Sequence, residues 1–214
     1  MVGSFNPAIV HPSWLAEHEI LAPSDLSFDT PEGDSDIDLR LVTPDFAQFR
    51  IGWLTVQVTR EHFDLTTPET DRVPLLRDAA INIFTLLSHT PVMALGINRL
   101  GHYPLEVGAL NRIMESVVRT ETWQEDAPNA ELATLTVRMP RADPDDRGFT
   151  AVTIEPSIRI PNGLFVAVND HHEIESTGEE LPQASAALRI LESKWDSGLD
   201  QHNIWTRFAL RAGE

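Results

Sequence analysis

At 214 residues, 42% hydrophobic and 23% charged, the chain is long enough to bury a core of its own without disulfide or metal staples. Its 33 acidic against 16 basic residues, net −17, exclude direct nucleic-acid binding and docking on an anionic membrane, both of which rest on Lys and Arg. The absence of cysteine excludes disulfides, thiolate catalysis, Fe–S clusters and Cys-ligated zinc, and no apolar run approaches the roughly 18 residues of a membrane span.

Taken in chain order, Met1 to Pro12 has neither the basic residues nor the apolar stretch of a signal peptide, so a cytoplasmic location is expected. Pro7, Pro12, Pro23 and Pro31 break up the first 33 residues and leave room for a short strand near Ala8–Val10 and a helical turn near Ser13–Glu19. Asp36 to Val42 alternates polar and apolar residues, as a half-buried strand does. Asp34, Asp36 and Asp38 have the spacing that opens a calcium loop, but Leu39 stands where the loop needs glycine and Asp45 where it needs Glu. An acidic edge strand is the better reading. Phe49 to Thr59 is predicted as one strand, Arg60-Glu61 as a tight turn and His62–Thr66 as the returning strand.

Thr70 or Asp71 caps a predicted helix with Pro74 in its first turn, and Val73, Leu76, Ala80, Ile83, Phe84 and Leu87 form its apolar face. Val92–Asn98 is apolar enough for a central strand. A second helix is predicted from Val107, Leu110, Ile113, Met114 and Val117. After a connector at Glu125–Ala130, Leu132–Met139 alternates like a strand, Arg141–Gly148 is a hairpin loop rich in Asp, Pro and Gly, and Phe149–Ile160 returns. Pro161-Asn162-Gly163 is a turn, Leu164–Asn169 a strand and Leu181–Trp195 a helix. Ser197-Gly198 breaks that helix, and His202–Leu210 is a last short one. The fold class expected is α+β, mostly antiparallel sheet with helices packed on one face. One domain over residues 1–214 is expected, with 1–124 and 125–214 as loosely related hairpin-plus-helix halves.

Several segments, Phe5-Asn6-Pro7, Gly96-Ile97-Asn98-Arg99, Val166-Ala167-Val168-Asn169-Asp170 and the helix Leu188 to Trp195 with its terminal aromatic, together resemble a sporadically distributed, uncharacterised bacterial protein family. The resemblance covers most of the chain and implies this order of elements. It brings no activity, because the family has none established.

Asp170-His171-His172-Glu173, inside Asn169–Glu175, has the composition of a metal site, two imidazoles among carboxylates. Adjacent residues of a strand face opposite ways, so both imidazoles reach one ion only if the strand has ended before them. Arg99, His102 and Tyr103 follow a central strand, where polar residues line pockets. Trp14 and Trp123 lie near element ends, and tryptophan is favoured in interface anchors. No Gly-x-Ser-x-Gly elbow, Gly-x-Gly-x-x-Gly or Walker loop is present, and no cofactor is expected. The acids concentrate in residues 1–39 and 121–180, and fifteen of the sixteen basic residues are Arg, Lys194 being the exception. With no coherent catalytic set, the function expected is that of a non-catalytic interaction or accessory subunit of a small bacterial complex. Its acidic and aromatic surface would bind a protein partner or a second copy. The alternatives are a metal-dependent hydrolase centred on His171 and His172, and a small-ligand pocket near Arg99.

Overall fold

The computed structural model describes residues 1–21, 41–117, 133–142, 146–175 and 183–211. The acidic triplet Asp34, Asp36 and Asp38, Trp123, the connector Glu125–Ala130 and the proposed division at residue 124 lie outside the described residues. The fold is α+β, with antiparallel strand pairs and helices packed against them. Two compact units are formed: Met1–Leu95 with Glu173–Ser193, and Gly96–His172 with Lys194–Glu214.

The first unit holds β1 (Val2–Gly3), α1 (Pro12–Glu17), β2 (Leu41–Val42), β3 (Phe46–Ile51), β4 (Leu54–Thr59), β5 (Phe63–Thr66) and α2 (Val73–Leu86). Strands β2-β3-β4-β5 form one antiparallel sheet in that order. The single strand expected over Phe49–Thr59 is two strands. Gly52 takes a positive φ of 52°, which a two-residue hairpin turn asks of its first position, and Ile51 pairs with Leu54 across it. Ala47, Phe49 and Ile51 of β3 and Leu54, Val56 and Val58 of β4 therefore face one core. α2 adds Ala79, Ile83 and Phe84 to it. Its first residue is Val73, after a 3-10 turn at Thr70–Arg72, and no side chain caps it. The strand expected at Ala8–Val10 is not formed; those residues lie in a turn after Asn6, whose Oδ1 accepts from Ala8 N.

β6 (Val92–Pro104), β7 (Leu135–Pro140), β8 (Gly148–Pro156) and β9 (Gly163–Glu173), with α3 (Ala109–Val117) and α4 (Ala184–Arg211), complete the chain. With β1 these strands make a sheet of order β1-β6-β9-β8-β7. Both hairpins expected in this half are formed: Pro140 pairs with Phe149, and Pro156 with Leu164 around the turn in which Asn162 has φ +55°. The core of the second unit gathers Val152 and Ile154 of β8, Leu164, Val166 and Val168 of β9, Ile113 of α3 and Ala209 of α4.

Three expectations are corrected in this region, and each bears on the site. β6 runs on past Asn98 to Pro104, so Arg99, His102 and Tyr103 stand within a strand. β9 runs on past Asn169 to Glu173, with Gly148 opposite His172. The break expected at Ser197-Gly198 is absent, and α4 is continuous. Glycine inside a helix costs about 1 kcal/mol against alanine. Here its bareness is used: a Cβ on Gly198 would lie 3.1 Å from Asp170 Oδ2 and 3.2 Å from Ile97 Cγ2. The glycine lets the helix settle against the strands just where the buried face of β9 turns polar.

Candidate functional site

Strand alternation sends Leu164, Val166, Val168, Asp170 and His172 to one face of β9, and all five are buried. The first three belong to the apolar core of the second unit. The last two continue the same face as a carboxylate and an imidazole, 3% and 1% exposed. Buried ionisable groups need partners, and the ends of the β7–β8 hairpin supply them. Arg141 Nη2 donates to Asp170 Oδ1 (2.5 Å) and lies 3.0 Å from His172 Nε2, while Arg141 Nη1 reaches Asp146 Oδ2 (3.5 Å). Thr150 Oγ1 donates to Asp170 Oδ1 (3.3 Å). From α4, Lys194 Nζ donates to Asp146 Oδ2 (2.9 Å).

His172 sits between the two acids. Its Nε2 is 3.1 Å from Asp170 Oδ2, and its Nδ1 faces Asp146 Oδ1 at 3.4 Å. A proton on Nε2 serves Asp170, whereas a lone pair there serves Arg141. Burial by itself would raise the Asp170 carboxyl, but the His172 hydrogen bond and the charge of Arg141 outweigh it and hold the group below its ordinary value. Asp146 follows the same pattern: desolvation pushes up, and the hydrogen bond from Lys194 with the charges of Arg141, Lys194 and His172 brings it below the ordinary value.

Arg141, Asp146, Thr150, Asp170 and Lys194 line a cleft of about 350 Å³, walled also by Met139, Ser197, Gln201 and Trp205, with His172 buried behind Asp170. Trp205 Nε1 donates to Gln201 Oε1 (3.2 Å). Exposure grades outward: the side chains of Asp170, Arg141, Asp146 and Lys194 are 4%, 17%, 21% and 40% exposed. Among the described residues, Arg141 Nε and His172 Nδ1 are buried without a hydrogen-bond partner, the nearest acid to the latter being Asp146 at 3.4 Å.

The described residues singled out from sequence fall in five places. Asp170 and His172 share the buried face of β9, and Asp170 lines the cleft. His171 stacks on Phe149 (centroids 4.6 Å apart) on the other face, and Glu173 is exposed, so the proposed metal quartet is not assembled. The strand's continuation through these residues is the reason. Among the described residues no three His, Asp or Glu side chains are placed to hold a metal ion. Arg99 and Tyr103 converge on α4 instead: Tyr103 Oη lies 3.4 Å from His202 Nε2, and burial, then the charge of Arg99, lower the pKa of that histidine. His102 Nδ1 meets Ser157 Oγ at 2.8 Å, an oxygen that already accepts from the turn amides of Arg159 and Ile160. Trp14 is half-buried, packed on the core of the first unit and edge-on to His18.

Arg141, Asp146, Thr150, Lys194, Ser197, Gln201 and Trp205 were not legible as site residues. Arg141 and Asp146 sit in a stretch whose Asp, Pro and Gly spell out a turn. The one available signal was Lys194, the single lysine of the chain, and it stands in the cleft. No protein-family model, no curated protein and no solved structure matches the chain.

Proposed function

We propose that this chain is a non-catalytic binding protein whose second unit takes a small polar ligand in the cleft bounded by Arg141, Asp146, Asp170 and Lys194. The observation that carries this reading is the polar ending of the buried β9 face beneath an open cleft of ligand size. It keeps the small-ligand alternative and moves its site from Arg99 to Arg141. The cleft's polar groups are already engaged with one another. His172 is 1% exposed and does not line the cleft, and its Nε2 is engaged by Asp170 and Arg141. The Thr150 hydroxyl donates to Asp170, and the Ser197 hydroxyl donates to the Lys194 carbonyl (2.9 Å). A nucleophile–base pair needs a hydroxyl within hydrogen-bond reach of a base that is free to take its proton; the carboxylate that Thr150 reaches is ion-paired with Arg141 and held below its ordinary value, and the acceptor that Ser197 reaches is a carbonyl. The test is a thermal-shift screen of pooled amino acids, sugars and dicarboxylates. At least one pool should raise the melting temperature of the wild type and leave Thr150→Val with Lys194→Met unmoved. Equal shifts in both proteins, or none in either, would count against the cleft.

A second reading, an accessory subunit that binds a protein partner or a second copy, is favoured by one feature of α4. Ile204 and Phe208, one turn apart, are 51% and 56% exposed, with Trp205 edge-on to Phe208 at 5.8 Å. Sedimentation of the wild type against Phe208→Ser tests self-association: a dimer lost in the variant supports it, and a monomer in both removes it.

A further inference from the structure

We propose that the ligand of this cleft is dipolar, carrying a carboxylate and an ammonium group close together as a free α-amino acid does. The proposal rests on the cleft being the binding site and names the class of molecule it takes.

The first ground is the charge balance of the walls. Arg141 and Lys194 contribute two positive charges, and Asp146 and Asp170 two negative ones. Both carboxyls are held below their ordinary values, so they stay ionised at neutral pH. A simple anion entering the cleft meets two carboxylates, and a simple cation meets a guanidinium and an ammonium. A molecule with both charges and no net charge can meet each with its opposite.

The second ground is where the exchangeable partners lie. The inner pair, Arg141 with Asp170, is mostly buried and is shared with His172 and Thr150. The outer pair, Lys194 with Asp146, is the more exposed one and is joined by a single hydrogen bond of 2.9 Å. Its Lys194 arm is 40% exposed and flexible, so of the two pairs this is the one a ligand can part at lower cost, while Asp146 keeps Arg141 at 3.5 Å. When the pair opens it presents an ammonium and a carboxylate side by side, the mirror of an amino acid's own two groups. The ligand carboxylate then replaces Asp146 on Lys194, and the ligand ammonium replaces Lys194 on Asp146. Each charge lost is regained, and no charge is left bare. The third ground is the wall opposite in character: Met139 and Trp205 offer apolar surface for the rest of such a molecule.

The experiment uses the full chain and compares shape-matched probes. Each proteinogenic amino acid is titrated calorimetrically beside its deaminated acid and its decarboxylated amine: leucine, 4-methylpentanoate and isoamylamine form one such trio. Site assignment comes from the chain's single lysine: acetylation of Lys194 by an amine-reactive reagent is followed by mass spectrometry with and without probe. At least one amino acid should bind with a Kd under about 1 mM, bind at least about tenfold more tightly than both counterparts, and slow acetylation of Lys194. Asp146→Asn should remove the preference over the deaminated acid, and Lys194→Met should weaken binding at least about tenfold. A deaminated acid that binds equally well and protects Lys194 overturns the dipolar class and leaves the cleft standing as an anion site. Binding that leaves Lys194 acetylation unchanged overturns the proposal by placing the ligand elsewhere. No binding by any amino acid overturns it too, and the thermal-shift screen then decides whether the cleft binds anything.

Discussion

The two units solve the same problem, burying one face of a sheet, with different chemistry. In the first, every strand residue facing the core is apolar: Ala47, Phe49, Ile51, Leu54, Val56, Val58 and Phe63. Phe5, Phe63 and Phe84 meet there edge-to-face at centroid distances of 4.9 to 6.1 Å, the geometry that ring quadrupoles favour. In the second unit the equivalent face of β9 begins with Leu164, Val166 and Val168 and ends with Asp170 and His172. A chain able to fill one core with phenylalanine and valine is able to fill the other, so the buried charges are not forced by the fold. They mark where the second unit gives up simple packing, and it is there that the binding site is proposed.

That contrast can be broken by substitution. Asp170→Ala removes the more deeply buried of the two carboxylates that Arg141 and His172 face and should cost about 3 kcal/mol. Phe84→Ala in the first unit should cost a similar ~3–5 kcal/mol by opening a cavity. Urea unfolding at several pH values separates the two, because only the first should change how stability depends on pH. Gly198→Leu drives a side chain into Asp170 and Ile97, where a Cβ alone already lies 3.1–3.2 Å away. It should cost about 1–3 kcal/mol, read as a lowered urea midpoint.

The pH response itself follows from the lowered carboxyls. In the native state Asp146 and Asp170 lie below the ordinary value near 3.8 that they regain on unfolding. The unfolded chain therefore binds more protons as the solution is acidified. The stability these groups add is present in full above the ordinary carboxylate range and is lost as pH falls through it toward the lowered native values. Between about pH 5 and pH 2 the wild type should lose stability more steeply than Asp170→Asn; matching slopes would mean that the network contributes nothing. The smallest effect is expected at the rim. Lys194→Met removes a partly exposed ion pair and should change stability by less than about 1 kcal/mol, while removing the cleft's outer cation.

Much of the architecture was legible because it is local. The alternation in β4, the period of α2 and the Asn-Gly turn at 162–163 state their structures in a few residues each. What escaped depended on distant contacts. Nothing near Gly198 says that a helix will run through it; the reason lies in Asp170 and Ile97, far away in sequence. Nothing in the run Asn169 to Glu173 says that the strand continues; the reason is its pairing with Gly148–Thr150. Once β9 continues, His171 and His172 part to opposite faces and the quartet Asp170-His171-His172-Glu173 dissolves. The same continuation gives Asp170 and His172 a common face, and so builds the cleft. Of the candidate site only Asp170 and His172 were thus visible, by residue type and by the strand alternation that lets them share a face; their partners Arg141, Asp146 and Lys194 were not.

The most direct test of the claim that the second unit's polar core ending is a binding site is an amide NMR titration of the isotopically labelled chain with the polar pool active in the thermal-shift screen. Perturbations should gather at Arg141, Thr150, Asp170, Ser197 and Gln201 and at the Trp205 indole. Perturbations confined to Ile204 and Phe208 or to the β2 edge, with those six signals unmoved, would contradict it.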